Sequence, residues 1–472
     1  MRTPFVVPIA IGAVFGAAST QLAVGDSDVF WHLVVGRDAL RGLIAAPDGL
    51  SWTVAGQATS SDQWLGQVLW ALAYDGGGWR GVVALRALAI ALLVGVIVYA
   101  ALRERPTRPL GAVLAALPAI ALSRFVWTER PELFGFVCFA TLIVLLRSAR
   151  SGSDRALYWI PPLILVWANL HGSFALGVGL IGLVAIEGAV AQRSRRRIYV
   201  VAAVGSVIAT LLTPANIGSW TAPGFHLLHP PREIQEWSVP DVTTLPGAIF
   251  AVALLVTFLV ALFARVRGAR EAVVLLPVLF LSLIATRQMP LFAIASAPFL
   301  ALYGADALAH LASIRGRRLP TLAAATRPPG RRADTIALVI AAALLALAAR
   351  IGVSSPELSG YPTAALVALR PGPGLLNQYD WGGFLIWAAP ATPVFVDGRL
   401  VPYLNGVLDD YTTVLGVHPG WRAVIARRGI RQILVRPSDP VAVRARDLGW
   451  PIRASSDTFV LIDVPKDQAA GP

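Results

Sequence analysis

The sequence predicts an all-α, polytopic membrane domain followed by a small α/β domain at the C-terminal end. Three observations predict this fold class: the composition, the spacing of long apolar runs, and the sorting of polar residues between those runs. Hydrophobic residues fill 56% of the 472 positions and charged residues only 14%, whereas a soluble domain carries about 25% charged residues. The net charge of +13 indicates membrane orientation and contact with lipid headgroups, and no nucleic-acid partner is expected.

About eleven apolar runs are candidates for membrane helices, since a helix needs about 20 apolar residues to cross a bilayer. The runs lie at approximately 4–24, 81–102, 109–124, 132–147, 156–170, 174–192, 198–213, 246–264, 271–286, 289–310 and 334–352. A cleaved signal peptide would also begin with a short basic stretch and an apolar run. Because so many apolar runs follow, we expect the first one to be an uncleaved helix.

The connectors between these runs form two sets that alternate along the chain. One set is short and rich in arginine, and its segments are 103–108, 147–155, 193–197, 265–270 and 315–332. Cytoplasmic loops carry an excess of Arg and Lys, so this set predicts the inner face of the membrane, with the N-terminus inside and the C-terminal domain outside. The other set holds most of the Asp, Glu, His and Trp residues, which predicts a functional site on the outer face.

Three outer segments are too long to be simple turns. The segment 25–80 has apolar residues at helical spacing, which predicts two interfacial amphipathic helices, and 214–245 is a loop rich in Pro and Trp. In 353–472, helix-like and strand-like patterns alternate, and the strand-like stretches are 393–396, 430–435 and 458–464. This alternation predicts a small extracytoplasmic α/β domain after a membrane domain at 1–352.

Asp26 and Asp28 follow the first apolar run directly. In a turn, two carboxylates at this spacing can converge on a cation or flank a reacting group; alternatively, Ser27 or Asp26 caps a helix that begins at Val29. His32 follows closely as a third candidate, although a buried structural histidine is the alternative. Asp62 opens the second amphipathic helix, either as a cap or as part of the site.

Arg124, Arg130 and Arg287 lie on the predicted outer face, against the usual distribution of arginine. The planar guanidinium matches phosphate oxygens, which predicts a phosphate-binding role; snorkelling to lipid headgroups is the alternative. In the outer loop, Glu236 is the acidic residue that we would bring nearest to Asp28, as the second ligand of a metal ion if the site holds one.

Further polar and aromatic residues of the outer face complete the candidate site. Two lie on a short turn within the membrane domain, and the others lie in the C-terminal domain: Asn169, His171, Tyr379, Asp380, Trp381, Asp397 and Arg399. A belt of interfacial Trp residues is expected in any membrane protein. An Asp-Gly pair after an apolar stretch is also typical of a hairpin turn, so a structural role for Asp397 stays open.

The layout resembles that of GT-C-fold membrane glycosyltransferases, in which the first outer loop carries an acidic motif and amphipathic helices. More closely, the chain is similar to a poorly characterised bacterial group with three motifs: Asp-x-Asp-x-x-Trp-His-Leu, Trp-x-Asn-x-His-Gly, and a tail with Trp-Gly-Gly and Asp-Gly-Arg. The matching residues are Asp26, Asp28, Trp31, His32, Leu33, Trp167, Asn169, His171, Gly172, Trp381, Gly382, Gly383, Asp397, Gly398 and Arg399.

A fainter similarity links the chain to the catalytic subunits of oligosaccharyltransferases. Asp26 and Asp28 match their Asp-x-Asp motif, Ile234 and Glu236 match an outer-loop Thr-Ile-x-Glu-type motif, and 378–382 matches a Trp-Trp-Asp-Tyr-Gly motif. The last motif helps those subunits to read an acceptor peptide. Gln378 stands here where they have Trp, so a peptide acceptor is not expected.

The resemblance implies a glycosyltransferase of a bacterial plasma membrane that moves a sugar from a polyprenyl-phosphate donor to an envelope glycan, lipid or protein. Asp26 or Asp28 would be the general base, with His32 beside them, and the three outer arginines would hold the phosphate. Mg²⁺ or Mn²⁺ is the cofactor to expect if a metal takes part. The alternatives are a polymerase or ligase of lipid-linked glycans, a transporter, and a scaffold for envelope glycan assembly.

Overall fold

The computed structural model describes residues 5–57, 61–105, 108–228, 235–264, 270–314, 331–353 and 355–465. Most of two predicted inner segments, 265–270 and 315–332, lies outside these residues, as does Ile234. Helices dominate the fold, and a small sheet follows near the C-terminal end.

The helices are α1 (Val6–Ser19), α2 (Val29–Leu40), α3 (Trp64–Glu104), α4 (Pro109–Ser123), α5 (Glu132–Arg150), α6 (Asp154–Leu170), α7 (Phe174–Ala191), α8 (Arg196–Thr210), α9 (Thr221–Leu228), α10 (Leu245–Phe263), α11 (Ala272–Ile284), α12 (Met289–Ile314), α13 (Arg331–Ile351), α14 (Gly382–Ala388), α15 (Val407–Leu415), α16 (Trp421–Arg428) and α17 (Pro440–Asp447). The strands are β1 (Leu375–Asn377), β2 (Gln432–Val435), β3 (Ile452–Ser455) and β4 (Val460–Asp463). Short 3-10 helices lie at Arg124–Val126, Arg193–Arg195, Asn216–Trp220, Gln235–Trp237, Thr286–Gln288, Thr363–Ala368, Tyr379–Trp381 and Val401–Tyr403.

The chain divides into two compact units. The first comprises Met1–Leu22 and Gly76–Ser354, and the second comprises Ala23–Asp75 and Ser355–Pro472. The first part of the predicted outer segment 25–80 therefore belongs to the same unit as the C-terminal domain. The boundary at residue 75 is close to a break in α3, where Gly78 has φ 58° and ψ −147°, a conformation that glycine adopts without steric cost.

The first unit confirms a multi-pass membrane protein. Seven helices of the described residues are long and apolar enough to cross a membrane, and the shorter helices α1 and α11 are also apolar. Each of the eleven predicted spans coincides with a helix, but the number of crossings stays a prediction. Large apolar side chains are exposed on α10 and α13, such as Phe258 and Val339, as expected for helices that face lipid.

Helix α12 forms the centre of the first unit. Every residue from Met289 to Ala301 is buried, and the helix packs against α4, α10 and α11. Small residues bring other helices together: a Cβ added at Gly12 of α1 would lie 2.3 Å from the carbonyl oxygen of Ala91 in α3. Close approach at small residues is a usual way to pack membrane helices, because van der Waals contact replaces hydrophobic burial there.

The second unit is built on a four-stranded sheet in the order β1-β2-β4-β3, which confirms a small C-terminal domain with both helices and strands. Strand β1 runs parallel to β2, with Leu376 opposite Ile433, while β4 runs antiparallel to both β2 and β3. The apolar residues of the sheet pack with those of α15, α16 and α17 in one core.

The predicted strand at 393–396 lies outside this sheet, so that prediction is wrong. Val394 forms one isolated bridge with Ser51, and the backbone N–H of Val394 donates to the carbonyl of Leu50 over 3.1 Å. In return, the N–H of Trp52 donates to the carbonyl of Val394 over 3.1 Å. The early segment and the C-terminal segment of the second unit are joined here by backbone hydrogen bonds.

Candidate active site

Asp26 and Asp28 lie in the turn that leads into α2. The Asp26 carboxylate accepts a 2.9 Å hydrogen bond from the backbone N–H of Asp28, the arrangement of an Asx turn. Asp28 occupies the N-cap position of α2, but its side chain makes no capping hydrogen bond. The two carboxylates therefore differ: that of Asp26 shapes the turn, whereas that of Asp28 is not used to cap the helix.

Two glycines of the C-terminal segment pack directly against this turn. A Cβ added at Gly383 would lie 2.7 Å from the carbonyl oxygen of Ser27, and one added at Gly398 would lie 1.9 Å from Oδ1 of Asp28. Real Cβ atoms do not approach other heavy atoms this closely. The Trp-Gly-Gly and Asp-Gly-Arg motifs thus meet the acidic motif in space, at positions where only glycine fits without a shift.

Trp31 and His32 lie on the first turn of α2, and both are buried, with 4% and 2% of their surface exposed. Nδ1 of His32 is 3.3 Å from Nε2 of Gln67 on α3, and the rings of Trp31 and His32 are 3.7 Å apart. Nε1 of Trp31 is buried and has no hydrogen-bond partner among the described residues. His32 is as deeply buried as a structural histidine. The indole N–H of Trp31 is a hydrogen-bond donor close to Asp28.

Arg399 joins two carboxylates and a phenol in a buried network. Its guanidinium binds both oxygens of Asp397, over 2.8 Å from Nε and 2.7 Å from Nη2, and it also donates to Asp48. Nη2 lies 2.9 Å from the Tyr403 hydroxyl, which in turn donates to Asp397. The side chains of Asp397 and Asp48 are fully buried and that of Arg399 is 11% exposed.

Burial and the neighbouring charges set the protonation states of Arg399 and Tyr403 in this network. Burial by itself would lower the pKa of Arg399, but the charge of Asp397, with help from Asp48, outweighs burial and raises that pKa well above its ordinary value. Burial, with the adjacent Asp397 charge, also raises the pKa of Tyr403 well above its ordinary value. The arginine stays a cation and the tyrosine stays protonated, so the network is a fixed structural element.

Asn377 at the end of β1 holds the stretch that leads to Asp397. Its side-chain Nδ2 donates to the carbonyl of Val396 over 2.9 Å, and its Oδ1 accepts from the N–H of Phe395 over 2.7 Å. One amide therefore satisfies backbone groups that a neighbouring strand would otherwise satisfy. This explains why an apolar stretch that resembles a strand lies outside the sheet.

Tyr379, Asp380 and Trp381 form a separate feature at the end of β1. Asp380 pairs with Arg436 over 2.5 Å, and the side chains of both residues are roughly half exposed, at 50% and 40%. The Arg436 guanidinium also lies 5.5 Å from the ring centre of the buried Trp381. The backbone N–H of Tyr379 donates to the hydroxyl of Tyr411 over 3.0 Å. These contacts anchor the segment to the rest of the C-terminal domain.

Tyr361 is a site residue that the sequence did not indicate. Burial raises the pKa of its phenol, and the charges of Asp26, Asp28 and Asp380 raise it further. The hydroxyl therefore stays protonated close to the acidic motif. Its ring packs against Phe384 at 5.0 Å. A lone Tyr in a Pro- and Gly-rich stretch carries no sequence signal that distinguishes it from packing.

Asp62 lies just before α3 and is half-buried. Burial raises the pKa of its carboxyl to about 6, against a weaker lowering by a backbone hydrogen bond. A carboxyl with such a pKa is partly protonated near neutral pH and can exchange a proton in that range.

A second cluster of charges lies in the first unit. Arg287 binds Glu132 over 2.7 Å, and Arg130 binds Glu236 over 2.9 Å. Glu236 also lies 3.8 Å from Arg287, so its carboxylate is shared between two guanidiniums. The sequence predicted the two arginines and Glu236 as site residues, but it did not indicate Glu132, which is the first residue of α5.

Of the other predicted residues in this unit, Arg124 is exposed and its guanidinium lies 5.7 Å from the ring of Trp127. Nδ1 of His171 lies 2.9 Å from the hydroxyl of Ser173. The side-chain amide of Asn169 donates to backbone carbonyls of α6 and of the chain after α8. His171 and Asn169 thus have contacts that organise the turn.

The predicted metal site does not fit the surroundings of Glu236. Two guanidiniums already share its carboxylate, and their positive charge opposes a divalent cation there. Within the part of the chain that the structure describes, no group of three or more His, Cys, Asp or Glu side chains could hold a metal ion.

Comparison with known proteins identifies the fold. No protein-family model and no curated protein matches the sequence. Among solved structures, an archaeal oligosaccharyltransferase, AglB from Archaeoglobus fulgidus in complex with an inhibitory peptide and a dolichol-phosphate, matches with a TM-score of 0.59 and 10% identity, over 92% of this chain and 69% of that one. ArnT from Cupriavidus metallidurans, bound to undecaprenyl phosphate, matches with a TM-score of 0.51 and 15% identity, over 99% and 98% of the two chains.

At these identities the likeness shows the fold. The predicted resemblance to GT-C-fold membrane glycosyltransferases is confirmed at that level. The chain shares the fold of these two proteins across nearly its whole length.

Proposed function

We propose that this chain is a membrane glycosyltransferase that takes its sugar from a polyprenyl-phosphate donor. The observation that carries the proposal is the fold it shares with two proteins solved with a dolichol-phosphate and with undecaprenyl phosphate. The acceptor is a hydroxyl of an envelope glycan, lipid or protein on the outer face.

The chemistry requires a base and a stabilised leaving group. The acceptor oxygen forms a bond to the anomeric carbon, the bond from that carbon to the phosphate oxygen breaks, and the acceptor proton passes to a carboxylate. Asp28 is the base in this proposal, because its carboxylate lies against Gly398 of the Asp-Gly-Arg motif, whereas that of Asp26 shapes the turn. A positioned carboxylate of this kind contributes about 10²–10⁴-fold to the rate.

The departing polyprenyl phosphate needs positive charge. Arg130 and Arg287 supply it, with Arg124 as a third cation on the same predicted face. That two guanidiniums already share the Glu236 carboxylate supports the assignment, because it places an anion between the pair. Donors aimed at developing charge are the largest contribution to many such reactions.

The transporter alternative would need ionisable groups near the middle of the membrane. The three candidates in apolar runs are instead held by ion pairs: Arg86 with Glu129, Glu187 with Arg150 and Arg270, and Asp306 with Arg105. Arg86 also donates to the carbonyls of Ser19 and Leu22. These contacts are those of structural anchors and do not favour transport.

Native mass spectrometry of the purified protein with undecaprenyl phosphate tests the donor. We expect the wild type to retain the lipid and Arg287→Ala to lose at least about tenfold in affinity. Arg270→Ala is the matched control, since it removes an arginine from an exposed ion pair at a predicted inner connector. Equal retention by all three proteins, or no retention by the wild type, would overturn the phosphate assignment.

A further inference from the structure

The contact between Gly398 and Asp28 has an unusual property. The atom that an added Cβ would meet at 1.9 Å is the carboxylate Oδ1, the far end of a side chain. A side-chain terminus can rotate away, whereas backbone cannot. A methyl group at position 398 would therefore displace the carboxylate and leave the backbone in place.

Gly382 differs from Gly398, because it packs against backbone atoms. A Cβ added at Gly382 would lie 2.3 Å from the carbonyl oxygen of Val396 and 2.6 Å from Cα of Asp397. Both obstacles belong to the backbone, so an alanine at 382 has to move the chain itself. The two glycines thus separate displacement of a carboxylate from disruption of the fold.

Gly398 is also held firmly. Its neighbours Asp397 and Arg399 bind each other through two parallel hydrogen bonds, and Arg399 reaches Asp48 in the early segment of the same unit. A bidentate pair fixes geometry as well as charge. The backbone between these two residues is consequently fixed where it meets Asp28.

We propose that Gly398 is a positioning residue for Asp28: its missing side chain provides the space in which the carboxylate is aimed, and the Asp397–Arg399–Asp48 network keeps that space at a fixed place. Trp31 borders the same space, since its Nε1 would lie 3.1 Å from the added Cβ. This inference rests on the proposed function, with Asp28 as the base.

The test compares kcat, the KM for the lipid-linked donor and the melting temperature among four proteins. Gly398→Ala should lower kcat at least about tenfold, because a misplaced base loses most of its contribution. The donor KM should stay within about twofold and the melting temperature close to that of the wild type. Gly382→Ala should instead lower the melting temperature.

Gly360→Ala is the matched control, because a Cβ there meets nothing within 4 Å. Alanine also keeps the carbonyl that accepts from Nε1 of Trp381, so its kinetics should equal those of the wild type. A kcat for Gly398→Ala within about twofold of the wild type would overturn the inference. So would a loss of kcat that is accompanied by the instability of Gly382→Ala. A wild type that neither retains undecaprenyl phosphate nor transfers sugar would overturn the proposed function, and this role of Gly398 with it.

Discussion

Asp397 holds the guanidinium of Arg399 with both of its carboxylate oxygens, and both side chains are almost fully removed from solvent. Paired burial of this kind costs desolvation energy, which geometry and further hydrogen bonds must offset. Here Asp48 and Tyr403 supply those bonds. The network is therefore sensitive to the loss of any one member.

Arg399→Met should lower the free energy of unfolding of the second unit by about 3–5 kcal/mol, because two buried carboxylates lose their cation. Denaturant-induced unfolding in detergent, followed by tryptophan fluorescence, measures the loss. The control is Arg436→Met, which removes the cation of the half-exposed Asp380 pair and should cost about 1 kcal/mol or less. Equal losses for both variants would contradict the role assigned to the buried network.

Glu236→Gln should strengthen the binding of undecaprenyl phosphate by about tenfold, since a charged hydrogen bond contributes roughly 1.5–3 kcal/mol and the carboxylate no longer competes for Arg130 and Arg287. Native mass spectrometry with titrated lipid gives the affinity. A metal ligand would behave in the opposite way: its loss would weaken binding in the presence of Mg²⁺.

Glu187→Gln is the control for that experiment. Glu187 is likewise shared by two arginines, Arg150 and Arg270, but it lies toward the predicted inner face. Its replacement should leave lipid affinity unchanged, and an equal gain in both variants would point to a general effect of net charge.

Asp28→Asn should lower the rate of sugar transfer by at least about 10²-fold, because an amide cannot take up the proton of the acceptor hydroxyl at neutral pH. Asp26→Asn should retain much more activity, since the asparagine oxygen can still accept from the N–H of Asp28 and preserve the turn. Initial rates with a lipid-linked sugar donor distinguish the two variants. The assignment of Asp28 as the base fails if Asp26→Asn is the more damaging change.

The raised pKa of Asp62 predicts a pH dependence of stability. Its folded pKa of about 6 exceeds the ordinary aspartate pKa of 3.8, so between these two pH values the folded state binds more protons than the unfolded state. Stability from this group is therefore present at low pH and is lost as pH rises through about 6. Melting temperature measured against pH should show that Asp62→Asn is more stable than the wild type at pH 7.5. The advantage should disappear near pH 4, and an advantage that grows on acidification would reverse the assigned sign.

The membrane helices could be predicted because each coincides with a long apolar run. Inside a bilayer such a run has to satisfy its own backbone hydrogen bonds, and a helix does so within a single segment. The number of these helices that cross the membrane could not be predicted in the same way. Helices α1 and α11 have only 14 and 13 residues, fewer than the roughly 20 that a bilayer requires.

In the C-terminal domain, strands β2 and β4 agree with the apolar runs that predicted them. The run at 393–396 misled because the Asn377 amide binds its backbone in place of a neighbouring strand. A side chain that takes over ladder hydrogen bonds leaves no trace in hydrophobic periodicity.

Some residues of the candidate site could be predicted from the sequence and others could not. Asp26 and Asp28 could be found from the sequence, because two acidic residues directly after an apolar run are conspicuous. The fit of Gly398 beneath Asp28 could not be predicted, since it depends on a contact between residues far apart in the chain. The same holds for the Tyr361 hydroxyl, whose importance follows only from the carboxylates around it.

The bond from Arg399 to Asp48 spans 351 residues, and this separation constrains how the protein is made. A chain emerges from the ribosome N-terminal end first, and contacts across long separations form late. The segment 23–57 is therefore synthesised long before its structural partners exist, and it has to wait while all the intervening membrane helices are produced. The unit that contains the acidic motif can complete its core only after strand β4 (Val460–Asp463) has been synthesised, so a chain that stops before β4 has no assembled site.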